Sequence, residues 1–343
     1  MRALVVRLSS IGDVVHTLPA LAALRRAGFE TDWLIEPPAR VLLAGNPAVS
    51  QVFLAPPAKA FGWKAARATL RALRARRYDV ALDFQGLWKS AAWARLSGAA
   101  RVVGWQAASR REPASQLLIG ERVSRTSDRR RHVIDKNLEL LAPLGIAAFG
   151  LREFPLPRPA ESIARVDAGL AGVDARGLVI LNPGGGWASK LWPPERFGEL
   201  ARGLGAAGLR PLVSWGPGEQ DLADRVVAAS GGAAERSFPT TLLDFVELAR
   251  RARVVVAADT GPLHIACAVG TPVVALFGPT DPARNGPFAP ADVVLRRMPG
   301  CAPCYSRSCQ RHAGIMREIG AAEVQAAVVK RLALAREGIL HAV

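Results

Sequence analysis

Short apolar runs, each followed by a turn and a helical segment, repeat along this chain in two blocks separated by a run of prolines. In the first block, residues 3–6 (Ala-Leu-Val-Val), 32–35 (Asp-Trp-Leu-Ile), 51–54, 79–83 and 101–104 read as strands. Runs this short and apolar suit a parallel sheet covered on both faces. Helices are expected at 14–27, with Gly28 as its stop signal, and at 64–77, 87–96 and 134–144. Residues 109–131 read as a basic, irregular stretch. Prolines at 155, 157 and 159 then remove backbone donors and end regular structure. The alternation restarts with a helix at 161–171. Strands follow at 177–181, 210–215, 253–257 and 272–277, with helices at 194–207, 218–229, 242–252, 261–269 and 322–337. The chain is therefore read as α/β, with two Rossmann-like domains at 1–155 and 156–325. Residues 326–343 are expected to form a helix that packs back on the first domain. In such sheets ligands bind beyond the carboxyl ends of the strands, so the residues just after strands are the candidates for chemistry.

Composition narrows the class. With 343 residues, half of them hydrophobic, the chain can bury two cores and does not resemble a disordered chain. It has no apolar run of about 18 residues that would span a membrane. Arg7, Asp13 and His16 interrupt the apolar start before a signal-peptide core could form. A cytoplasmic protein is expected. Four cysteines are too few for a disulfide scaffold. The net charge of +16 is skewed: residues 1–165 carry 26 Lys and Arg against 13 Asp and Glu, and residues 166–343 carry 19 against 16. Only six of the basic residues are Lys, and an Arg- and Ala-rich usage also follows genome composition. The skew itself points to an anionic partner for the first half: nucleic acid, a membrane surface or a phosphorylated substrate.

Five segments carry candidate chemistry. After the first strand, residues 7–16 (Arg-Leu-Ser-Ser-Ile-Gly-Asp-Val-Val-His) open a helix. Asp13 there is either a plain helix cap or a general base. After the strand at 79–83, Gln85, Lys89 and Ser90 are polar residues able to face a cleft. Residues 182–193 (Asn-Pro-Gly-Gly-Gly-Trp-Ala-Ser-Lys-Leu-Trp-Pro) can wrap a ligand in backbone, with Lys190 as a mobile positive charge for a phosphate. At 258–264 (Ala-Asp-Thr-Gly-Pro-Leu-His), Thr260 reads as a helix cap, and Pro262 fits the first turn. Free N–H groups at such a helix start suit a diphosphate. Asp259 would repel phosphate and suits sugar hydroxyls better. His264 alone reads as structural. Finally, Cys301, Cys304, Cys309 and His312 permit a small metal site but do not match a standard zinc spacing. Reduced cysteines in a Pro-rich loop are the favoured reading.

The first strand-to-helix turn, residues 7–16, carries no Gly-x-Gly-x-x-Gly fingerprint, which counts against a nicotinamide-dependent oxidoreductase, and no Gly-Lys dipeptide supports a P-loop. A nucleic-acid-binding role would predict salt-sensitive binding, but no stacking-aromatic or helix-turn-helix pattern accompanies the charge. No Asp-x-Asp metal motif occurs, so a metal is not required; no cofactor is expected.

In order along the chain, residues 9–19, 83–90, 105–106 with 111–113, 190–193, 215–219, 259–264 and 277–282 resemble the ADP-heptose:lipopolysaccharide heptosyltransferases, glycosyltransferase family 9. The first three look most like the branch that adds the first heptose to Kdo. The cysteine segment is more like the branch that adds the second, so that alternative, or another core-sugar acceptor, stays open. The resemblance implies a GT-B fold, two Rossmann-like domains facing each other across a cleft that closes about the linker. It implies an inverting transfer of heptose from ADP-heptose to a Kdo-lipid A acceptor on the cytoplasmic face of the inner membrane, with peripheral contact to that anionic surface and no nucleic acid. Asp13 then matches the general base, and Lys190 contacts the donor phosphates. Gly184, Gly185, Ser189, Glu219, Thr241, Asp259, Thr260, Gly261 and His264 complete the donor side. Arg7, Ser9, Ser10, Gln85, Lys89 and Arg111 form the acceptor side.

Overall fold

A computed structural model describes residues 1–56, 62–124, 131–172, 177–298, 300, 303–304 and 314–336. The chain divides between Pro157 and Arg158, inside the proline run, into two compact units.

The first unit is built on a sheet of β1 (Arg2–Val6), β2 (Glu30–Ile35), β3 (Gln51–Leu54), β4 (Val80–Asp83), β5 (Arg101–Trp105) and β6 (Glu121–Val123). Every pairing is parallel, in the order β3-β2-β1-β4-β5-β6. The second unit repeats the plan with β7 (Leu178–Asn182), β8 (Arg210–Val213), β9 (Glu235–Arg236), β10 (Val254–Ala258), β11 (Val273–Phe277) and β12 (Val293–Arg296). Its order is β12-β11-β10-β7-β8-β9, again all parallel. The winding reverses between β1 and β4 in one sheet and between β7 and β10 in the other. A ligand crevice opens at such a reversal, beyond the strand C-termini. β4, β7, β10 and β11 are buried at every residue, which accounts for their apolar runs, interrupted only at the C-terminal Asp83 of β4 and Asn182 of β7.

Several expectations change. β6, β9 and β12 are additions to the strands expected: β9 is two exposed charged residues, Glu235 and Arg236, with no apolar pattern to announce it. The helix expected at 14–27 is two helices, Ile11–Val15 and Leu18–Arg26. Pro19 sits in the first turn of the second, where its missing N–H costs no helical bond. The helix expected at 134–144 runs Val133–Glu139, and Pro143 lies in a separate 3-10 turn, Ala142–Leu144.

The helix Ala321–Arg336 is part of the second unit. Val324, Ala327, Val328 and Leu332 join the second unit's core with Trp192, Phe197 and the β7, β10 and β11 side chains. Arg331, buried, pairs at 2.8 Å with buried Asp292 at the foot of β12. Residues 337–343 lie outside the described residues. Among the described residues, no helix is long and apolar enough to cross a membrane.

Candidate active site

In the second unit the candidate residues gather at the ends of β7 and β10. Asp259 follows β10 directly and is buried. Its Oδ2 accepts from Lys190 Nζ at 2.6 Å and from Thr280 Oγ1 at 2.7 Å. Its Oδ1 accepts from Asn285 Nδ2 at 2.6 Å and lies 3.2 Å from His264 Nε2. Burial alone would push this carboxyl up. The His264 hydrogen bond and the Lys190 ammonium reverse that and hold it well below the usual carboxylate range. Lys190 also donates to the Asp259 carbonyl at 3.2 Å and rests 4.5 Å from the Trp187 ring centroid. Lys190 is thus held by the protein on two of its sides. Asp259 has about four lone-pair directions, and four protein donors, Lys190, Thr280, Asn285 and His264, stand on them in this structure. His264 is one of those four donors, in keeping with its structural reading.

The glycine loop packs into the same place. A Cβ on Gly184 would stand 2.2 Å from Glu219 Oε2, and one on Gly185 would stand 2.5 Å from Thr260 Cγ2. Only a chain without side chains there can bring the β7 loop against both. Glu219 Oε2 in turn accepts from the Gly216 N–H at 3.0 Å. The far end of the loop is anchored by Trp192, which is fully buried, stacks edge-on against Phe197 and donates from Nε1 to the Ile319 carbonyl at 3.0 Å. Ser189 is buried beside Lys190. Thr260 holds the N-cap position of the helix Gly261–Ala268, but its hydroxyl turns back to the Ala258 carbonyl instead of capping. The first N–H groups of that helix are thereby left without a side-chain cap, and a fixed ammonium stands beside them. This combination suits an anion. Thr241 caps a different helix, Leu242–Arg251, through a reciprocal pair with Asp244.

In the first unit the candidates lie at the ends of β1 and β4. Ser10 is the N-cap of the helix Ile11–Val15, and Asp13 is its third residue, which closes a capping box with Ser10. Asp13 Oδ2 accepts from Ser10 N at 3.2 Å and Ser10 Oγ at 3.1 Å, and Oδ1 stands 2.5 Å from Arg7 Nη2. A third of the Asp13 side chain, 33%, is exposed. Arg7 is buried and donates from Nη1 to the Phe84 carbonyl. Gln85 Oε1 accepts from Leu8 N at 2.9 Å and Ser9 N at 3.4 Å, which pins the β1 loop to the β4 loop. Lys89 pairs with Glu36 at 2.6 Å. Gln85 and Lys89, read as open polar contacts, are thus engaged within the protein. Arg111 is exposed and forms no ion pair among the described residues. Its neighbour Arg110 is the opposite: fully buried, 2.6 Å from fully buried Asp83, with Ser115 and the Trp105 carbonyl taking further guanidinium protons.

Thr280 and Asn285 escape sequence reasoning as site residues, although Thr280 lies in a segment already singled out. Cys304 is described, and its N–H donates to the Pro279 carbonyl at 2.7 Å. Cys301, Cys309 and His312 lie outside the described residues, as do residues 57–61 and 125–130 of the basic stretches. Among the described residues, no group of three or more His, Cys, Asp or Glu side chains is placed to hold a metal ion.

Residues 66–313 match the family model described as glycosyltransferase family 9 (heptosyltransferase). The chain is 33% identical over 327 residues to lipopolysaccharide heptosyltransferase 1 of Pseudomonas aeruginosa, covering 90% of this chain and 87% of that one. It is similar to the solved structure of E. coli heptosyltransferase WaaC with ADP, at TM-score 0.76 and 26% identity, covering 96% of this chain and all of that one. The same E. coli enzyme with ADP-2-deoxy-2-fluoro heptose matches at TM-score 0.70 and 28% identity, covering 93% and 98%. With two parallel sheets of this order and a match of this extent, the chain belongs to glycosyltransferase family 9, the heptosyltransferases.

Proposed function

We propose that this enzyme transfers heptose from ADP-heptose to a Kdo-lipid A type acceptor in lipopolysaccharide inner-core biosynthesis, with inversion at the anomeric carbon. The observation that carries the reading is Lys190, fixed at 2.6 Å from Asp259 beside an uncapped helix start, in a chain with relatives named lipopolysaccharide heptosyltransferase 1. In the second unit, Gly184, Gly185, Ser189, Lys190, Glu219, Thr241, Thr260 and Gly261 form the donor site. Lys190 and the N–H groups at Thr260–Gly261 stabilise the charge that grows on the departing ADP, and one such preorganised donor is worth roughly 3 kcal/mol.

In the first unit, Asp13 removes the proton from the acceptor hydroxyl. That oxygen attacks the anomeric carbon while the carbon–oxygen bond to the diphosphate breaks, through oxocarbenium character. Ser10 and Arg7 orient the base. Arg111 meets the anionic acceptor, while Ser9, Gln85 and Lys89 shape its site. The scheme draws on no metal or cofactor.

The acceptor is a lipid, and the first unit has a surface suited to its membrane. The helix Trp63–Ala75 exposes Trp63, Lys64, Arg67 and Arg71 and contains no acidic residue. This supports a peripheral place on the cytoplasmic face of the inner membrane. The deciding experiment is transfer from ADP-heptose to Kdo-lipid A and to heptosyl-Kdo-lipid A, read by mass spectrometry. A mass gain of one heptose on the first acceptor supports the proposal, a gain only on the second moves the enzyme one step along the core, and no gain on either overturns it.

A further inference from the structure

We infer that Thr280 and Asn285 are positioning residues for the donor, acting on Lys190 through the Asp259 carboxylate. The inference rests on the reading above, in which Lys190 meets the donor diphosphate.

The Asp259 carboxylate is held from three separate segments. Lys190 comes from the β7 loop and His264 from the helix after β10. Thr280 and Asn285 come from the turn after β11. A carboxylate plane turns easily about its last torsion, so one donor on each oxygen leaves it free to tilt. The bonds from Thr280 to Oδ2 at 2.7 Å and from Asn285 to Oδ1 at 2.6 Å put a second donor on each oxygen and fix the plane. Asn285 is itself placed by the short helix Pro282–Asn285, whose N-cap Asp281 accepts from Ala283 N at 3.1 Å and pairs with Arg296 at 3.3 Å.

The consequence falls on Lys190. An ammonium has three protons. Two are directed at Asp259, at the carboxylate and the backbone carbonyl, and the Trp187 ring covers another side. The direction left for a ligand is therefore set by where the Asp259 carboxylate stands. A misplacement of about 1 Å in such a group costs up to about a hundredfold in rate.

The test is a double-mutant cycle on the full chain, with ADP as the probe and calorimetry as the readout. Lys190→Ala weakens ADP binding about tenfold, the size of one hydrogen bond to a charged group. Asn285→Ala and Thr280→Val each weaken it severalfold, and Thr280→Ser restores it. Asn285→Ala adds nothing in a chain that already carries Lys190→Ala, because both act at one ammonium. If Asn285→Ala leaves ADP binding unchanged, or its effect adds fully to that of Lys190→Ala, the inference is overturned while the reading of Lys190 stands. If Lys190→Ala itself binds ADP normally, that reading fails first and the inference with it. Asn285 is partly exposed, so its variant remains a valid test even if Thr280→Val does not fold.

Discussion

Arg7 Nη2 and Asp13 Oδ1 stand 2.5 Å apart, and the same guanidinium reaches the Phe84 carbonyl beyond β4. One buried cation therefore ties the proposed base to the two strands at which the first sheet reverses its winding. Asp13→Ala is expected to lower turnover by at least about a hundredfold, the usual worth of a positioned base, while ADP binding by calorimetry stays as in the unaltered chain. Near-normal turnover would remove Asp13 from the reaction.

Sequence alone groups Arg7 with the acceptor contacts, yet its guanidinium is committed to Asp13 and Phe84. Arg7→Met should therefore act mainly on kcat and leave the acceptor KM within about threefold. Arg111→Ala should do the reverse, raising the acceptor KM with a smaller effect on kcat. Steady-state kinetics with varied acceptor separates the two, and a matching pattern for both residues would contradict the division.

Arg110 and Asp83 form an ion pair with no exposed surface. Removing one partner strands a buried charge, at a cost of about 3–5 kcal/mol. Urea unfolding should report a loss of that size for Arg110→Ala. Arg111→Ala, one residue away and exposed, should change the unfolding free energy by less than about 0.5 kcal/mol. Equal losses for the two variants would contradict the burial argument.

Acid acts on the second unit through Asp259. Its native carboxyl titrates well below the usual range, while in the unfolded chain it titrates near pH ~4. Between those values the unfolded state binds more protons, so this group's contribution is full above about pH 5 and is lost as pH falls further. Urea midpoints taken from neutral pH down to about pH 3 should show the decline, and Asp259→Asn should make it shallower without removing it, because Asp244 and Glu247 are also held below their usual values by arginine partners.

The helix Trp63–Ala75 gives a membrane prediction. Each basic residue near an anionic surface contributes roughly 1 kcal/mol. Reversing Lys64, Arg67 and Arg71 together to Glu should abolish co-sedimentation with vesicles rich in phosphatidylglycerol, and salt should weaken the binding of the unaltered chain. Unchanged sedimentation would place the contact elsewhere.

Much of this architecture is legible in the letters, because buried parallel strands must be short apolar runs and crossover helices must be periodic. The edge strands are not: β9 consists of Glu235 and Arg236, and only pairing with β8 makes it a strand. In the candidate site, the glycines at 184 and 185 and the pair Asp259-Thr260 stand out because they follow strands. Thr280 also follows a strand, β11, but its role depends on reaching Asp259 at the end of the neighbouring strand β10, and Asn285 belongs to a four-residue helix with no periodicity. Arg110 and Arg111 are the same letter side by side, and only burial assigns one to the core and the other to solvent. Lys190 is visible as a charge, but its immobility depends on Asp259, 69 residues away.

Trp192 closes the glycine loop by donating to the Ile319 carbonyl, 127 residues downstream. On a translating ribosome the loop is made early and fastened late. A nascent chain that has already paired β7, β8, β10 and β11 still lacks the acceptor for that indole and the core side chains of residues 321–336. The β7 loop and the core of the second unit therefore share one late-synthesised segment, and a chain that ends before residue 319 lacks both the indole's acceptor and those core side chains.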